Sequence, residues 1–548
     1  MKADENLLSR LYVDLGRVLP SLVKGLAGIE EFRAHGAEVQ LLPSGTLKKF
    51  AVVNLLYSLP TDPAGANPNK LHLIIKYRIP GKRKVPKGFV RHKARETEYE
   101  QYKFLGGTGY VPEAFLIEDI VRRQNGRPGG MSFDDFIAQL EILRRSIILR
   151  YVGKENLEEK MTGARGASTR IRLVKEIIRS HLIDFQQKAT EQTNTEANRN
   201  VDLAWLCAER NIRERGEDYL RGSLGLESIE KIDPSLLELH REGFGVLAEV
   251  YDHGSQVLRV CHGDLSTADV LEDREGPRRI WFTDPKLKIR DPVFDVATVL
   301  SSPGTRLSKK WDNLFRQFRV CLLDNTRDSY LKTLPFTTTK TEFFRERLFD
   351  PSSSMTRYDE SQMLGFGTVV GLVNSYRNLA RISDLERIFP EEYERTVEGR
   401  PALVEAKREM ALNIKRALRR LIEEPEKYNI TQGTARGADN LLNNVFIQTG
   451  IIQSQNEKDL RYFFDVTNPQ SVLQYLHGLK QKFEKSRTEE QRRISEEALG
   501  ILDEYGEGTD FDTFRRFFQQ QGEPDGSRPR IQPDRRLGFK IPRDKAPA

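Results

Sequence analysis

RVCHGDLSTADVLEDREGPRRIWFTDPKLKIRDPVFDVATVL, residues 259 to 300, is the stretch around which the other residues of this 548-residue chain are read. In it Asp264, Asp269, Asp284 and Asp295 are separated by short apolar runs that predict strands and a hairpin. The first lies in His262-Gly263-Asp264-Leu265, and the second follows five residues on. Carboxylates placed at such intervals on the rims of a buried hairpin hold a metal, a reacting hydroxyl, or both. Phosphoryl transfer needs that equipment: an aspartate to accept the substrate proton, oxygen ligands for magnesium, and tight positioning.

The segment resembles the catalytic core of the aminoglycoside phosphotransferase family, relatives of choline kinase within the wider protein-kinase-like fold. That family shows His-Gly-Asp-Leu-x-x-x-Asn-x-Leu, then a strand ending in a metal-binding Asp, then Gly-Asp-Pro-x-x-Asp. The resemblance implies that Asp264 is the catalytic base, that Asp284 in Thr283-Asp284-Pro285-Lys286 binds metal, and that Asp295 braces the catalytic loop. His262 fixes that loop rather than transferring a proton. Asp269 departs from the pattern, which has asparagine there; aspartate also offers oxygens to magnesium but adds a negative charge.

Working towards the N-terminus, Ser146-Ile147-Ile148-Leu149-Arg150-Tyr151-Val152-Gly153 is similar to the family's hinge, with Arg150 where glutamate is usual. The resemblance implies that adenine sits at Leu149, Tyr151 and Val152, held mainly by backbone groups. The run Leu71 to Tyr77 reads as a largely buried strand with one lysine, Lys76, which needs an anion. By the same resemblance, Lys76 reaches the nucleotide phosphates and pairs with a glutamate on the following helix. Glu98 is favoured, one turn before Tyr102 and two before Leu105, with Glu96 the runner-up. Further upstream, LLPSGTLKKFAVVNLLYSL reads as strand, turn and strand, and its turn at Ser44, Gly45 and Thr46 would lie over the phosphates.

The remaining elements are mostly helical. A short amphipathic helix with Leu7, Leu8 and Leu11 on one face is expected to end near Pro20. Ile171, Val174, Ile178, Leu182 and Phe185 form an apolar stripe behind an expected Ser168 N-cap. Asp233-Pro234 opens another helix up to about Tyr251, GFGTVVGLVNSYRNLARI reads as a central helix, and an amphipathic helix covers about 401 to 422. Helical segments around 437 to 447, 469 to 485 and 488 to 504 predict a small appended bundle. The proline-rich, charged end after Gln521 reads as disordered.

The expected fold is therefore α+β and bilobal, protein-kinase-like. An N-lobe of nucleotide-binding sheet and helix occupies 1–150, and a helical C-lobe 151–424, with the catalytic segment at 260–300. An appended helical region takes 425–520 and a disordered tail 521–548.

Composition sets outer bounds on function. A hydrophobic fraction of 38% supports a sizeable core, and 87 basic against 80 acidic residues leave only +7, too mild to mark a nucleic-acid binder. Residues 81 to 95, GKRKVPKGFVRHKAR, carry seven Lys or Arg and no acid. That run is an electrostatic landing site for an anionic substrate, an RNA or an acidic partner, or else a solvated loop, and charge alone does not favour the former. The three cysteines lie far apart, which excludes a disulfide framework or zinc cage and fits a reducing compartment. No stretch approaches the ~20 apolar residues of a membrane span, and a soluble cytoplasmic protein is expected.

The functional expectation is an ATP- and magnesium-dependent phosphotransferase acting on a small-molecule hydroxyl. The alternative is a nucleotide-binding pseudokinase with a regulatory or binding role, towards which Asp269, Arg150 and the sparse phosphate loop point.

Overall fold

The computed structural model describes residues 2–42, 48–63, 66–78, 95–124, 131–153, 155–164, 166–193, 212–253, 258–273, 279–325, 358–388 and 402–452. Ser44, Gly45, Thr46, all but the last residue of the basic run 81–95, the expected helices at 469–485 and 488–504, and the tail lie outside the described residues. Residues 1–451 form one compact unit and 452–548 a second. Of the second, only its first residue is described.

The first helix, α1 (Lys2–Ala27), does not stop at Pro20 as expected but runs a further seven residues. Its apolar stripe explains why: Leu11, Leu15, Val18, Leu22 and Val23 are all buried, and that continuous burial outweighs the backbone hydrogen bond that a proline deletes. Asp14 anchors it, its carboxylate accepting the backbone N–H groups of Glu141 at 3.1 Å, Ile142 at 2.7 Å and Leu143 at 3.0 Å.

Against α1 lies a five-stranded antiparallel sheet in the order β1-β2-β3-β5-β4. Its strands are β1 (Arg33–Leu42), β2 (Lys48–Ser58), β3 (Asn69–Arg78), β4 (Ala114–Phe115) and β5 (Ser146–Arg150). Alternation decides the faces. Ala51, Val53, Leu55, Leu73, Ile75 and Ile148 join the core with α1, so Phe50, Val52, Ile74, Lys76, Ile147 and Leu149 point the other way. Helix α2 (Arg95–Leu105) follows β3, and α3 (Ile117–Gln124) and α4 (Phe133–Ala138) precede β5. Val121 to Gln124 end α3, because Ile117, Ile120 and Val121 bury a helical stripe.

Beyond Arg150 helices dominate. After a two-residue strand β6 (Glu155–Asn156) come α5 (Leu157–Gly163), α6 (Ala167–Ile177) and α7 (Ile183–Gln192), the last two joined by a wide turn. The N-cap of α6 is Gly166, two residues before the expected Ser168, since the Gly166 carbonyl already accepts from Arg170 N–H at 3.3 Å. Then follow α8 (Ile212–Ser223) and α9 (Pro234–His253), whose first turn is capped by Asp233 accepting from Ser235 N–H at 2.9 Å and Leu236 N–H at 3.1 Å.

The aspartate-bearing stretch forms β7 (Arg259–Cys261), β8 (Val270–Asp273), β9 (Arg279–Phe282), β10 (Lys288–Arg290) and α10 (Val293–Leu300). Strands β8 and β9 make a hairpin extended by β6, and β7 pairs with β10. Helices α11 (Trp311–Asn325), α12 (Glu360–Ile388), α13 (Ala402–Glu423) and α14 (Gln432–Asn440) complete the unit. Helix α12 is buried along most of its length, and a Cβ at Gly365 would stand 1.9 Å from the Tyr428 carbonyl oxygen, so the backbones there require glycine. The segment around 437 to 447, expected in an appended bundle, lies within the first unit, where α14 packs on α9 and Gly243 and Gly437 meet backbone to backbone. No described helix is long and apolar enough to cross a membrane.

Candidate active site

Lys76 emerges from β3 on the face opposite the α1 core and is 2% exposed. Its ammonium is ion-paired with the equally buried Glu98 of α2 and donates to Asp284 Oδ1 at 2.7 Å. Burial alone would strip the charge from this lysine, but Asp284, Tyr102 and Glu98 together hold its pKa well above the ordinary value. One turn after Glu98, Tyr102 accepts the Asp284 backbone N–H at 2.8 Å through its hydroxyl. Helix α2 thus holds both the lysine and the aspartate 208 residues further on. Glu96, on the same helix, is exposed.

Asp284 has φ 53°, a left-handed conformation uncommon for a residue with a Cβ. Such backbone persists where the surroundings over-determine it, and functional sites are where it collects. Here the fixing groups are Tyr102, Lys76 and the β9 strand that ends two residues before.

Asp295 organises the loop after β7. Fully buried in the first turn of α10, it accepts the His262 N–H at 2.8 Å on one oxygen and the Gly263 N–H at 3.0 Å on the other. Gln186 of α7 donates to it at 3.0 Å. Burial pushes this carboxyl up to about 6 against those three hydrogen bonds. Gly263 itself sits at φ 83°, where an added Cβ would come 2.2 Å from the Lys286 carbonyl oxygen. His262 lies at 2.9 Å from the Thr283 carbonyl through Nε2, which fixes the proton on that nitrogen, and burial lowers its pKa to about 4. The enclosed imidazole ties the loop to the residue that follows β9.

Asp264 follows, its side chain 13% exposed and both of its oxygens engaged. Lys286, two residues beyond Asp284, is ion-paired with Oδ2, and Arg377 of α12 donates to Oδ1 at 2.6 Å. Asp269 follows on a short helical turn, its Oδ2 accepting from Ser266 N–H at 3.0 Å and Ser266 Oγ at 2.5 Å. Burial first, and then the neighbouring Asp284 carboxylate, push Asp269 up to about 7. Two carboxylates that disfavour each other's ionisation are what a hard divalent cation relieves. Oxygen donors in that number suit magnesium, which is bound through one or two carboxylates and completed by phosphates and water. Among the described residues, no three acidic, histidine or cysteine side chains form a ready metal cage.

Leu149 is buried on the Lys76 face of β5, and Val152 is buried just beyond it; Tyr151 is half-buried and donates its N–H to the His72 carbonyl at 3.3 Å. Arg150 turns away to Glu113, 3.0 Å distant on the surface. Gly153, at φ 131°, lets the chain pass the β8 backbone, where a Cβ would meet the Glu272 carbonyl at 2.7 Å.

Lys76, Glu98, Tyr102 and Asp284 are therefore joined in one network, and Asp264, Lys286 and Arg377 in a second. Asp269 lies in the field of Asp284 and Lys286, members of both. The turn at 44 to 46 is the predicted site segment that the described residues leave out. Sequence reasoning missed Lys286, Arg377 and Arg381. Their signals were present: a lysine two residues past a candidate metal ligand, and two arginines one turn apart in an otherwise apolar helix.

No family model matches the chain, and no curated protein matches it. Solved structures to which it is similar include an ethanolamine kinase from Plasmodium vivax, at 12% identity and TM-score 0.32, covering 68% of this chain and 87% of that one. A microcompartment-associated aminopropanol kinase has 11% identity and TM-score 0.37, with coverage of 72% and 94%. The GDP complex of wild-type aminoglycoside 2'-phosphotransferase-IIIa has 15% identity and TM-score 0.31, with coverage of 72% and 98%.

Proposed function

We propose that the protein is a kinase, transferring the terminal phosphoryl group of ATP to a hydroxyl of a small molecule. The carrying observation is the buried Lys76 with its two carboxylate partners, Glu98 and Asp284, drawn from elements far apart in the chain. A lysine kept charged at 2% exposure is costly scaffolding, and it becomes intelligible as an anchor for phosphates. On this reading the fold is bilobal. The sheet supplies one wall of the cleft, with Phe50, Val52, Ile74 and Leu149 as an apolar plate for a base, and the aspartate segment and α12 supply the other.

In this mechanism Lys76 binds nucleotide phosphates and Glu98 orients it. Asp284 and Asp269 would hold magnesium, which when bound supplies charge neutralisation on the phosphates. Asp264 orients the acceptor hydroxyl and takes its proton, Lys286 stabilises charge at the transferring group, and Asp295 and His262 keep the loop in place. The free thiols Cys261 and Cys321 accord with a reducing, cytoplasmic setting.

Calorimetric titration with a nonhydrolysable ATP analogue and magnesium tests the reading. Saturable, magnesium-dependent binding is expected, weakened at least tenfold in Lys76→Met and in Asp284→Ala. Equal affinity in wild type and both variants would end it.

One observation favours a second reading, a nucleotide-binding pseudokinase: both oxygens of Asp264 are engaged by cations, so one partner must move before a hydroxyl can dock. Magnesium-dependent nucleotide binding without acceptor-stimulated ADP release would establish it.

A further inference from the structure

Helix α12 carries Arg377 and Arg381 one turn apart, so both side chains project from the same face. Arg377 spends one donor on Asp264 Oδ1, at 2.6 Å, and its guanidinium has five. The side chain is 27% exposed, and this is its one hydrogen bond among the described residues. Arg381 is exposed and has no hydrogen bond or ion pair among the described residues. It nevertheless lies in the field of Asp264, Asp269 and Asp284, and desolvation and the like charge of Arg377 both act to lower its pKa. Two guanidinium groups one turn apart, one of them without an ion-pair partner among the described residues, form an unfinished anion site.

The side on which they stand matters. Asp264 receives Lys286 on Oδ2 and Arg377 on Oδ1. Lys286 comes from the same short loop as Asp284, and on the phosphotransferase reading its side of the carboxylate is the metal and phosphate side. Arg377 approaches the other oxygen, with Arg381 one turn on and in the field of the same aspartates, and on that reading an acceptor presenting its hydroxyl to Asp264 would extend towards them.

We propose that the acceptor is an anionic hydroxy compound whose carboxylate or phosphate is bound by Arg377 and Arg381, rather than a cationic amino alcohol or aminoglycoside. The proposal rests on the phosphotransferase reading and assigns its substrate class. The hydroxyl oxygen forms a bond to the terminal phosphorus as the bond to the bridging oxygen breaks. ADP leaves, and the hydroxyl proton passes to Asp264. The anionic end of the acceptor neutralises the arginine pair, which would repel an ammonium in the same place.

The test uses the full chain loaded with magnesium and a nonhydrolysable ATP analogue, titrated with three series. These are anionic (glycerate, glycerol 3-phosphate, ribose 5-phosphate), neutral (glycerol, ribose) and cationic (ethanolamine, choline, kanamycin). Saturation by anionic compounds alone is expected, with glycerate against glycerol 3-phosphate separating carboxylate from phosphate recognition. Arg381→Gln should weaken that binding at least tenfold, Arg381→Lys less, and neither should change nucleotide affinity more than twofold. In turnover with ATP, Arg381→Gln should raise the acceptor KM and leave the ATP KM alone. Absence of any preference for the anionic series, saturation by the cationic one, or a loss of nucleotide affinity in Arg381→Gln overturns the proposal. Failure of the wild type to bind nucleotide would instead remove the phosphotransferase reading on which it stands.

Discussion

The two walls of the cleft hold charge in opposite ways. On the sheet side, Lys76 and Glu98 are each 2% exposed, and their pairing is closed to solvent. On the helical side, Lys286, Arg377 and Asp264 are 30%, 27% and 13% exposed, in a cluster open enough to exchange partners. A buried pair broken on one side leaves an uncompensated charge, whereas a half-exposed pair is largely replaced by water. On the proposed reading, the sheet side stays fixed and the helical side binds and releases.

The largest effect that would sharpen this contrast is kinetic. Asp264→Asn removes the proposed proton acceptor while keeping the side chain's shape, and general-base catalysis is worth roughly 10² to 10⁴ in rate. Acceptor-dependent ADP release should fall by that factor with nucleotide affinity intact; an unchanged rate would move the base elsewhere. Next comes stability. Lys76→Met should cost about 3–5 kcal/mol by leaving Glu98 and Asp284 uncompensated, whereas Arg377→Met should cost about 1 kcal/mol or less. Urea unfolding of both, with Glu98→Gln added to Lys76→Met to recover part of the loss, breaks the comparison if the two walls respond alike.

A smaller change acts on the loop alone. Gly263→Ala places a Cβ against the Lys286 carbonyl at a positive φ, an arrangement that costs roughly 1–3 kcal/mol. Because Lys286 is the partner of Asp264, turnover should fall more than stability does. The nucleotide binding proposed at Lys76 should be spared, as titration of the purified variant would reveal.

The same division governs what the sequence could disclose. The sheet was legible because β3 alternates and holds one charge in an apolar run, and a lysine there must find an anion. The aspartate segment was legible from its spacing. The arginines of α12 were not, because a helix apolar on nearly all sides gives no indication which of its few charges faces a cleft. That depends on α8, α9 and α10 surrounding it. Pro20 misled for a related reason: local backbone chemistry marks a stop, and only burial of Leu22 and Val23 against partners distant in sequence overrides it. The Gly166 cap was missed because a glycine cap leaves no side-chain signature.

The smallest effect separates the walls by pH. His240 of α9 stacks on Phe244 with an interplanar angle of 12° and meets the Tyr376 hydroxyl at 3.2 Å, directly behind Arg377. Burial lowers its pKa to about 3 from the ordinary 6.5, with Arg241 adding to the shift. Above pH 6.5 it is neutral folded or unfolded and contributes nothing to the pH dependence. As pH falls from 6.5 towards 3 only the unfolded chain takes the proton, so stability is lost, by about 1.4 kcal/mol at pH 5.5. His262 behaves in the same sense down to about 4, while Asp295, raised to about 6, opposes it between 3.8 and 6 by holding its proton in the folded state. His240→Gln removes one of these contributions without touching the loop. Between pH 7.5 and pH 5.5 its stability, read from urea midpoints, should therefore change by about 1.4 kcal/mol in the favourable direction relative to wild type, whatever the opposing contributions of Asp269 and Asp295. An equal shift in both proteins would mean that the helical wall tolerates a charged imidazole, and that its openness reaches past the arginines into the packing behind them.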